Sequence, residues 1–141
     1  MVVASKVDRA KHLETRVVRL NFESHRAPKR GNMVSKVESS LGIATKGVLV
    51  VNTEVSTSFN PDGPFSISAQ YETIFFLSPE DHVTVDDISE EDIKSLSRFA
   101  LREHSFVIAL MTKLSSGMPF ISSPRHGATE DDSQERVDPG Q

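Results

Sequence analysis

The sequence predicts an α+β fold: one strand, a crossover loop, a three-stranded meander and then one long helix. Apolar residues alternate with polar ones through the first half of the chain, which is the period of half-buried strands. Two glycine-containing turns fall at hairpin spacing within that half. After Ser89 the apolar spacing changes from two to three and four, the period of a helix.

Each element follows from its residues. Between Thr15 and Glu23, Val18, Leu20 and Phe22 alternate with Arg19, Asn21 and Glu23. Ser24 to Asn32 holds Pro28, Gly31 and four basic or histidine side chains without an apolar period, so it reads as a loop. Met33 to Ala44 resumes the alternation, with Met33, Val37, Leu41 and Ile43 on one face. Val48 to Phe59 is rich in β-branched residues, and Pro64 to Leu77 places Phe65, Ile67, Ala69, Tyr71 and Phe75 on a single face.

The turns set the register. Thr45-Lys46-Gly47 suits a three-residue hairpin loop with glycine in the left-handed position, which pairs Ala44 with Val48, Ile43 with Leu49, Leu41 with Val51 and Val37 with Val55. Asn60-Pro61-Asp62-Gly63 is a turn with proline preset at its second position. Pairing Phe59 with Phe65 then sets Val55 opposite Ala69, Val51 opposite Thr73 and Leu49 opposite Phe75. A slip of one residue in either hairpin would turn these apolar pairs to opposite faces.

Ser89-Glu90-Glu91-Asp92 resembles a capping box, with acids in the first turn where the helix dipole favours them. Ile93, Leu96, Ala100, Val107, Met111 and Leu114 follow, and Gly117-Met118-Pro119 ends the run. Ile93, Leu96 and Ala100 are expected to pack on the row Val37–Val55–Ala69. The stretch Phe106 to Met111 is apolar nearly all round, more than one sheet face can cover, so Phe106, Val107, Leu110 and Met111 are expected to meet a second chain. The domain is expected over 14–125, with an N-terminal extension over 1–13. From His126 to Gln141 the only aliphatic residue beyond alanine is Val137, and this stretch is expected to be a disordered acidic tail.

Composition narrows the function. A chain of 141 residues supports one core. Its net charge of −4 does not suit a nucleic-acid partner. That charge is divided unevenly: residues 1–46 carry ten Lys+Arg against four Asp+Glu, and the rest carries six against sixteen. With no cysteine there are no disulfides, thiol catalysis or cysteine-held metals. No stretch approaches the ~20 apolar residues of a membrane span and the N-terminus lacks a signal-peptide apolar run, so the expected setting is the cytoplasm, without membrane association.

Residues that could carry chemistry do not converge. His12, His25, His82, His104 and His126 are never two to five positions apart, so no local metal-ligand spacing exists; the expected reading is solvated surface histidines, with His104 as a possible subunit contact. The acids around Asp86 and Glu90 are explained by a helix start. No G-x-S-x-G, P-loop or G-x-G-x-x-G occurs, and neither an enzyme nor a cofactor is expected. The register does expose one apolar group on the face away from the helix, with Val48 beside Phe76 and Val50 beside Ile74; further along, that face turns polar through Asn52, Glu54, Gln70 and Glu72. Two readings of it stand: a loop or the N-terminal segment covers it, or it is a groove for an apolar peptide segment, with Phe120 and Ile121 forming a second wall. Arg26, Lys29 and Arg30 form a basic loop, read first as a solvated loop and otherwise as an attraction for acidic segments.

The stretch Ile67 to Arg125, with ISAQYETIFFLS, an acidic connector, the S-E-E-D helix start and the closing LSSGMPFISSP, resembles the export chaperone SecB and its relatives. The run Phe22-Glu23-Ser24-His25-Arg26-Ala27-Pro28 agrees with the first strand of that family, so the resemblance spans roughly Thr15 to Arg125. The chain departs from the family after Pro124, where it turns polar in place of a second helix. The resemblance implies a four-stranded antiparallel sheet with a long helix, a homo-oligomer (a dimer or a dimer of dimers), and an ATP-independent holding chaperone. Its partner would be an unfolded client polypeptide, either a preprotein passed to the translocase motor SecA or an antitoxin. A non-catalytic interaction protein with one fixed partner and a small-ligand-binding α+β domain are the alternatives.

Overall fold

The computed structural model describes residues 6–25, 32–42, 47–60, 63–78, 80 and 83–121. Four strands, β1 (Lys11–Ser24), β2 (Asn32–Leu41), β3 (Val48–Asn60) and β4 (Phe65–Phe76), form one antiparallel sheet in the order β1-β4-β3-β2. The first strand therefore crosses over to lie beside the last, outside a β2–β3–β4 meander. Two helices follow, α1 (Glu90–Leu96) and α2 (Arg98–Ser116). They form one bent rod: the Ser97 N–H reaches the Ile93 carbonyl and the Leu101 N–H reaches the Ser97 carbonyl, so the hydrogen-bond ladder continues through the bend. At Ser97 ψ opens to −8°, and its hydroxyl donates to the Lys94 carbonyl at 2.8 Å, a local bond of the kind that bends helices.

The meander has the register expected from its turns. Val37 faces Val55 and Leu41 faces Val51, while Val55 faces Ala69, Val51 faces Thr73 and Leu49 faces Phe75. Gly47 takes the left-handed conformation with φ of 76°, which is open to glycine and strained for most other residues. Residues 43–46 and 61–62 lie outside the described residues, and with them the pairings of Ile43 and Ala44 and the middle of each turn.

The first strand starts earlier than its alternation shows. It begins at Lys11, because register shifts between His12 and Glu14 and between Val17 and Arg19 insert Leu13 and Val18 as bulges. Each bulge changes the phase of the pattern. Leu20 and Phe22 lie on the helix side as expected, but Val18 has no cross-strand partner and is 53% exposed. Before the strand, Val7 in a short 3-10 turn, Lys6–Arg9, is buried in the core.

The helix packs on the expected face at shifted positions. Ile93 and Leu96 join Leu49, Val51, Phe75 and Leu77 at one end of the sheet. The row Val37–Val55–Ala69 instead meets Ala100, Leu101 and Val107. Farther along, Ile108 sits on Phe65 and Ile67, with Phe22, Phe59, Met111 and Phe120 around them. Within α2 the four-residue series Ala100, His104, Ile108 and Thr112 lines the buried face, while Leu114 is 72% exposed. Ser89 caps α1 as expected: its hydroxyl accepts the Asp92 N–H at 3.1 Å and its own N–H donates to the Asp92 carboxylate at 3.0 Å. Gly117 ends α2 with φ of 86°.

The two faces of β3 predict different mutational costs. Leu49→Ala, which empties a fully buried position, is expected to lower unfolding free energy by about 2–5 kcal/mol. Val50→Ala on the opposite face is expected to cost about 1 kcal/mol or less. Urea midpoints of the two variants check this.

Candidate functional site

On the sheet face turned away from the helix, Val48 pairs with Phe76 and Val50 with Ile74, as the register predicts. Three of the four side chains are half-buried and Phe76 is 45% exposed. On the β1 side this group is bordered by Lys11 opposite Phe76 and Glu14 opposite Ile74. On the β2 side the Gly42 N–H reaches the Val50 carbonyl at 2.6 Å, and β2 ends one residue earlier, at Leu41. The result is a small apolar platform at one end of a sheet face. None of its four residues belongs to the buried clusters under the helix, and the expected cover by the N-terminal segment or a loop lies in part on residues 1–5, 26–31 and 43–46, outside the described residues.

Two residues farther along each strand the face becomes polar. Asn52 pairs with Glu72, Glu54 with Gln70, and Glu38 with Glu54. Glu38, Ser40, Asn52, Glu54 and Gln70 line a shallow open depression of about 190 Å³. Arg16 neutralises Glu72 through Nε and Nη2, at 3.1 and 2.6 Å from Oε1. Both side chains reach solvent, so this pair contributes at most about 1 kcal/mol. Glu38 and Glu54 stand directly opposite each other and make no ion pair among the described residues. Like charges in that position destabilise a sheet.

Phe120 and Ile121 do not join the platform. The left-handed turn at Gly117 folds the chain back, and the Phe120 N–H donates to the Thr112 hydroxyl at 2.7 Å. The Phe120 ring packs edge-on against Phe59 and Phe65, at 6.0 and 5.3 Å, on the helix side and at the far end of the sheet. It is part of the core and cannot form a second wall. Ile121, next to it, is exposed.

Of the four residues expected to meet a second chain, Val107 and Met111 are half-buried against the protein's own core, while Phe106 and Leu110 project outward, Phe106 with 62% of its surface exposed. Leu114 and Met118 continue them at four-residue steps. Leu114, which continues the apolar spacing of the helix, is exposed near its C-terminal end. Val17 and Leu20, on the helix side of β1, are exposed as well. The basic loop residues Arg26, Lys29 and Arg30, and His82 and His126, lie outside the described residues, as do residues 122–141 and with them the tail expected over 126–141.

His104 is neither a surface histidine nor exposed for a subunit contact. It is fully buried beneath α2, with Nδ1 2.6 Å from the Tyr71 hydroxyl and Nε2 3.3 Å from the Thr57 hydroxyl, which lies 3.2 Å from Ser35. Burial lowers the imidazole to about 4. The Tyr71 phenol is pushed above its ordinary value, first by burial and then by the charge of Glu103. Both groups are therefore neutral near pH 7. Enclosed on all sides, they hold elements together and reach no substrate. The spacing Ala100–His104–Ile108 carries the signal that sequence reasoning missed, because only apolar residues were counted along the helix. His12 stacks on Phe99 at 4.2 Å and His25 is exposed. Among the described residues no group of three or more His, Asp or Glu is placed to hold a metal, and no helix is long and apolar enough to cross a membrane.

Neither a family model nor a curated protein matches the sequence. Solved structures do match. A SecB-like chaperone of Mycobacterium tuberculosis, in complex with a ChAD peptide from an antitoxin, superposes with a TM-score of 0.64 at 20% identity, covering 82% of this chain and 87% of that one. The fold is SecB-like. A Streptococcus agalactiae protein of unknown function also matches, with a TM-score of 0.54 at 12% identity over 81% of this chain and 95% of that one.

The opposed acids lead to a stability prediction. Glu54→Lys replaces a like-charge pair with a cross-strand ion pair and is expected to raise unfolding free energy by roughly 0.5–1 kcal/mol. The gain, read from denaturant midpoints, should shrink in high salt.

Proposed function

We propose that this protein is an ATP-independent holding chaperone of the cytoplasm that binds apolar segments of non-native polypeptides and catalyses no reaction. The observation that carries this reading is the apolar platform of Val48, Val50, Ile74 and Phe76, turned away from the helix on a sheet face whose other positions are mostly polar. An extended segment lying on it contributes apolar contact, and fully burying a side chain of this size is worth roughly 1.5–3 kcal/mol. Two or three such contacts per protomer are weak alone and useful in a multivalent assembly. The exposed α2 flank supplies the means of assembly, with Phe106 and Leu110 projecting from it and Val107 and Met111 behind them, in a homodimer or a dimer of dimers. The antitoxin peptide bound to the Mycobacterium neighbour favours an antitoxin client over a preprotein.

Light scattering of several unrelated aggregating clients tests this. The double variant Ile74→Ser with Phe76→Ser is expected to remain folded by circular dichroism and to lose most suppression. Arg26→Ala with Lys29→Ala should keep it. Full suppression by the first variant removes the platform from the mechanism. Suppression of a single client by the wild type indicates a fixed-partner interaction protein.

Assembly is read separately by sedimentation velocity. Phe106→Glu places a carboxylate where an apolar interface would desolvate it, so the variant is expected to stay soluble but run as a smaller species at micromolar concentration. A wild type already monomeric at that concentration would contradict the α2 interface.

A further inference from the structure

We propose that α2 is an acid-releasable cover: protonation of His104 frees the helix from the sheet beyond the bend at Ser97 and uncovers the apolar side chains beneath it. This regulation goes beyond client holding on the outer platform and concerns the opposite face of the sheet.

The helix–sheet interface is not one continuous apolar surface. Its apolar clusters, around Leu49 and Phe75, around Val55 and Ala69, and around Phe65 and Ile67, are interleaved with buried hydroxyls of Ser35, Thr53, Thr57 and Thr73. His104 ties α2 to three strands across this interface, through Tyr71 on β4, Thr57 on β3 and, by way of Thr57, Ser35 on β2. The neutral ring with its proton on Nε2 satisfies the chain: Tyr71 donates to Nδ1, Nε2–H donates to Thr57, and Thr57 donates to Ser35. A second proton on Nδ1 meets the Tyr71 hydroxyl donor to donor. Tyr71 must then turn to accept, which leaves its own hydrogen without that acceptor in a closed site.

No carboxylate offsets the added charge from the sheet. The helix-side positions of β1 carry one titratable group, His12, and that of β4 is Tyr71 itself; those of β2 and β3 carry none. Glu38, Glu54 and Glu72 belong to the opposite face, and Arg16 answers Glu72 there. On α2, Arg102 and Glu103 immediately precede His104; Arg102 is exposed over the Phe99 ring and the charge of Glu103 acts on the Tyr71 phenol, while burial alone accounts for the lowered histidine. The bend allows movement without loss of the first helix, since α1 keeps its Ser89 cap and Leu96 remains in the cluster with Leu49. The sign follows from burial. A released histidine titrates near its ordinary ~6.5 and the docked one near about 4, so the released state gains about tenfold per pH unit between them as pH falls.

Tyr71 is the only tyrosine and the chain has no tryptophan, so intrinsic fluorescence reports this contact alone. On lowering pH from 7 to 4, the wild type is expected to show a reversible change in tyrosine fluorescence and to bind the dye ANS, with the strand signal in far-UV circular dichroism retained. His104→Gln should show neither change over that interval. In the wild type, ring-nitrogen NMR should show His104 gaining its proton in the same interval as the fluorescence change. Equal acid profiles for wild type and His104→Gln overturn the proposal. So does loss of the strand signal in the same step, or a His104 ring that stays neutral through the transition, a result that needs no variant.

Discussion

The pairing of Val55 with Val37 on one side and Ala69 on the other commits every side chain of the meander to one of two faces, because strand side chains alternate strictly. Once these pairs form, Leu49, Val51, Phe75 and Ile67 must face the helix, and Val48, Val50, Ile74 and Phe76 must face away from it. The platform is therefore a by-product of register. It cannot be removed by slipping a strand without exposing the core. β1 depends on this constraint less, since its two bulges let it change phase against β4 and leave Leu13 and Val18 outside the ladder.

The two faces reverse the usual roles. The covered face contains threonines, a tyrosine and a histidine among its apolar clusters, while the face turned away from the helix carries an aliphatic and aromatic group beside a polar band. Each buried hydroxyl with a partner contributes little net stability, but one left unpaired costs about 1–3 kcal/mol, so the inner network acts mainly as a specification of where α2 sits. The outer platform has no such obligation, and that freedom suits contacts with segments of varied sequence. Apolar contact is non-directional, whereas the inner network demands particular donors and acceptors.

Much of this was legible in the residues. Strand order within the meander, its register, the Ser89 cap and the Gly117 stop are local or near-local, and alternation with turn chemistry specifies them. The bend at Ser97 was not legible, since a serine bonded to the carbonyl three residues back looks in sequence like any surface serine. His104 lies on the same helix stripe as Leu96 and Ala100, at four-residue steps, and is missed when only apolar residues are counted. The start of β1 was hidden for a related reason: a bulge breaks the very period by which a strand is recognised. Phe120 was misplaced because its position depends on a tertiary hydrogen bond to Thr112. The pairing of Val48 with Phe76 and of Val50 with Ile74 follows from the turns, while what binds them depends on the partner.

Methyl-resolved NMR with a non-native client polypeptide tests the central claim most directly. If extended clients lie on the outer platform, the methyl signals of Val48, Val50 and Ile74 shift or broaden on addition of client, while those of Val51 and Val55, on the same strand but facing the helix, stay in place. Perturbations confined to Leu110 and Leu114 on the α2 flank, with the platform methyls unmoved, would contradict it.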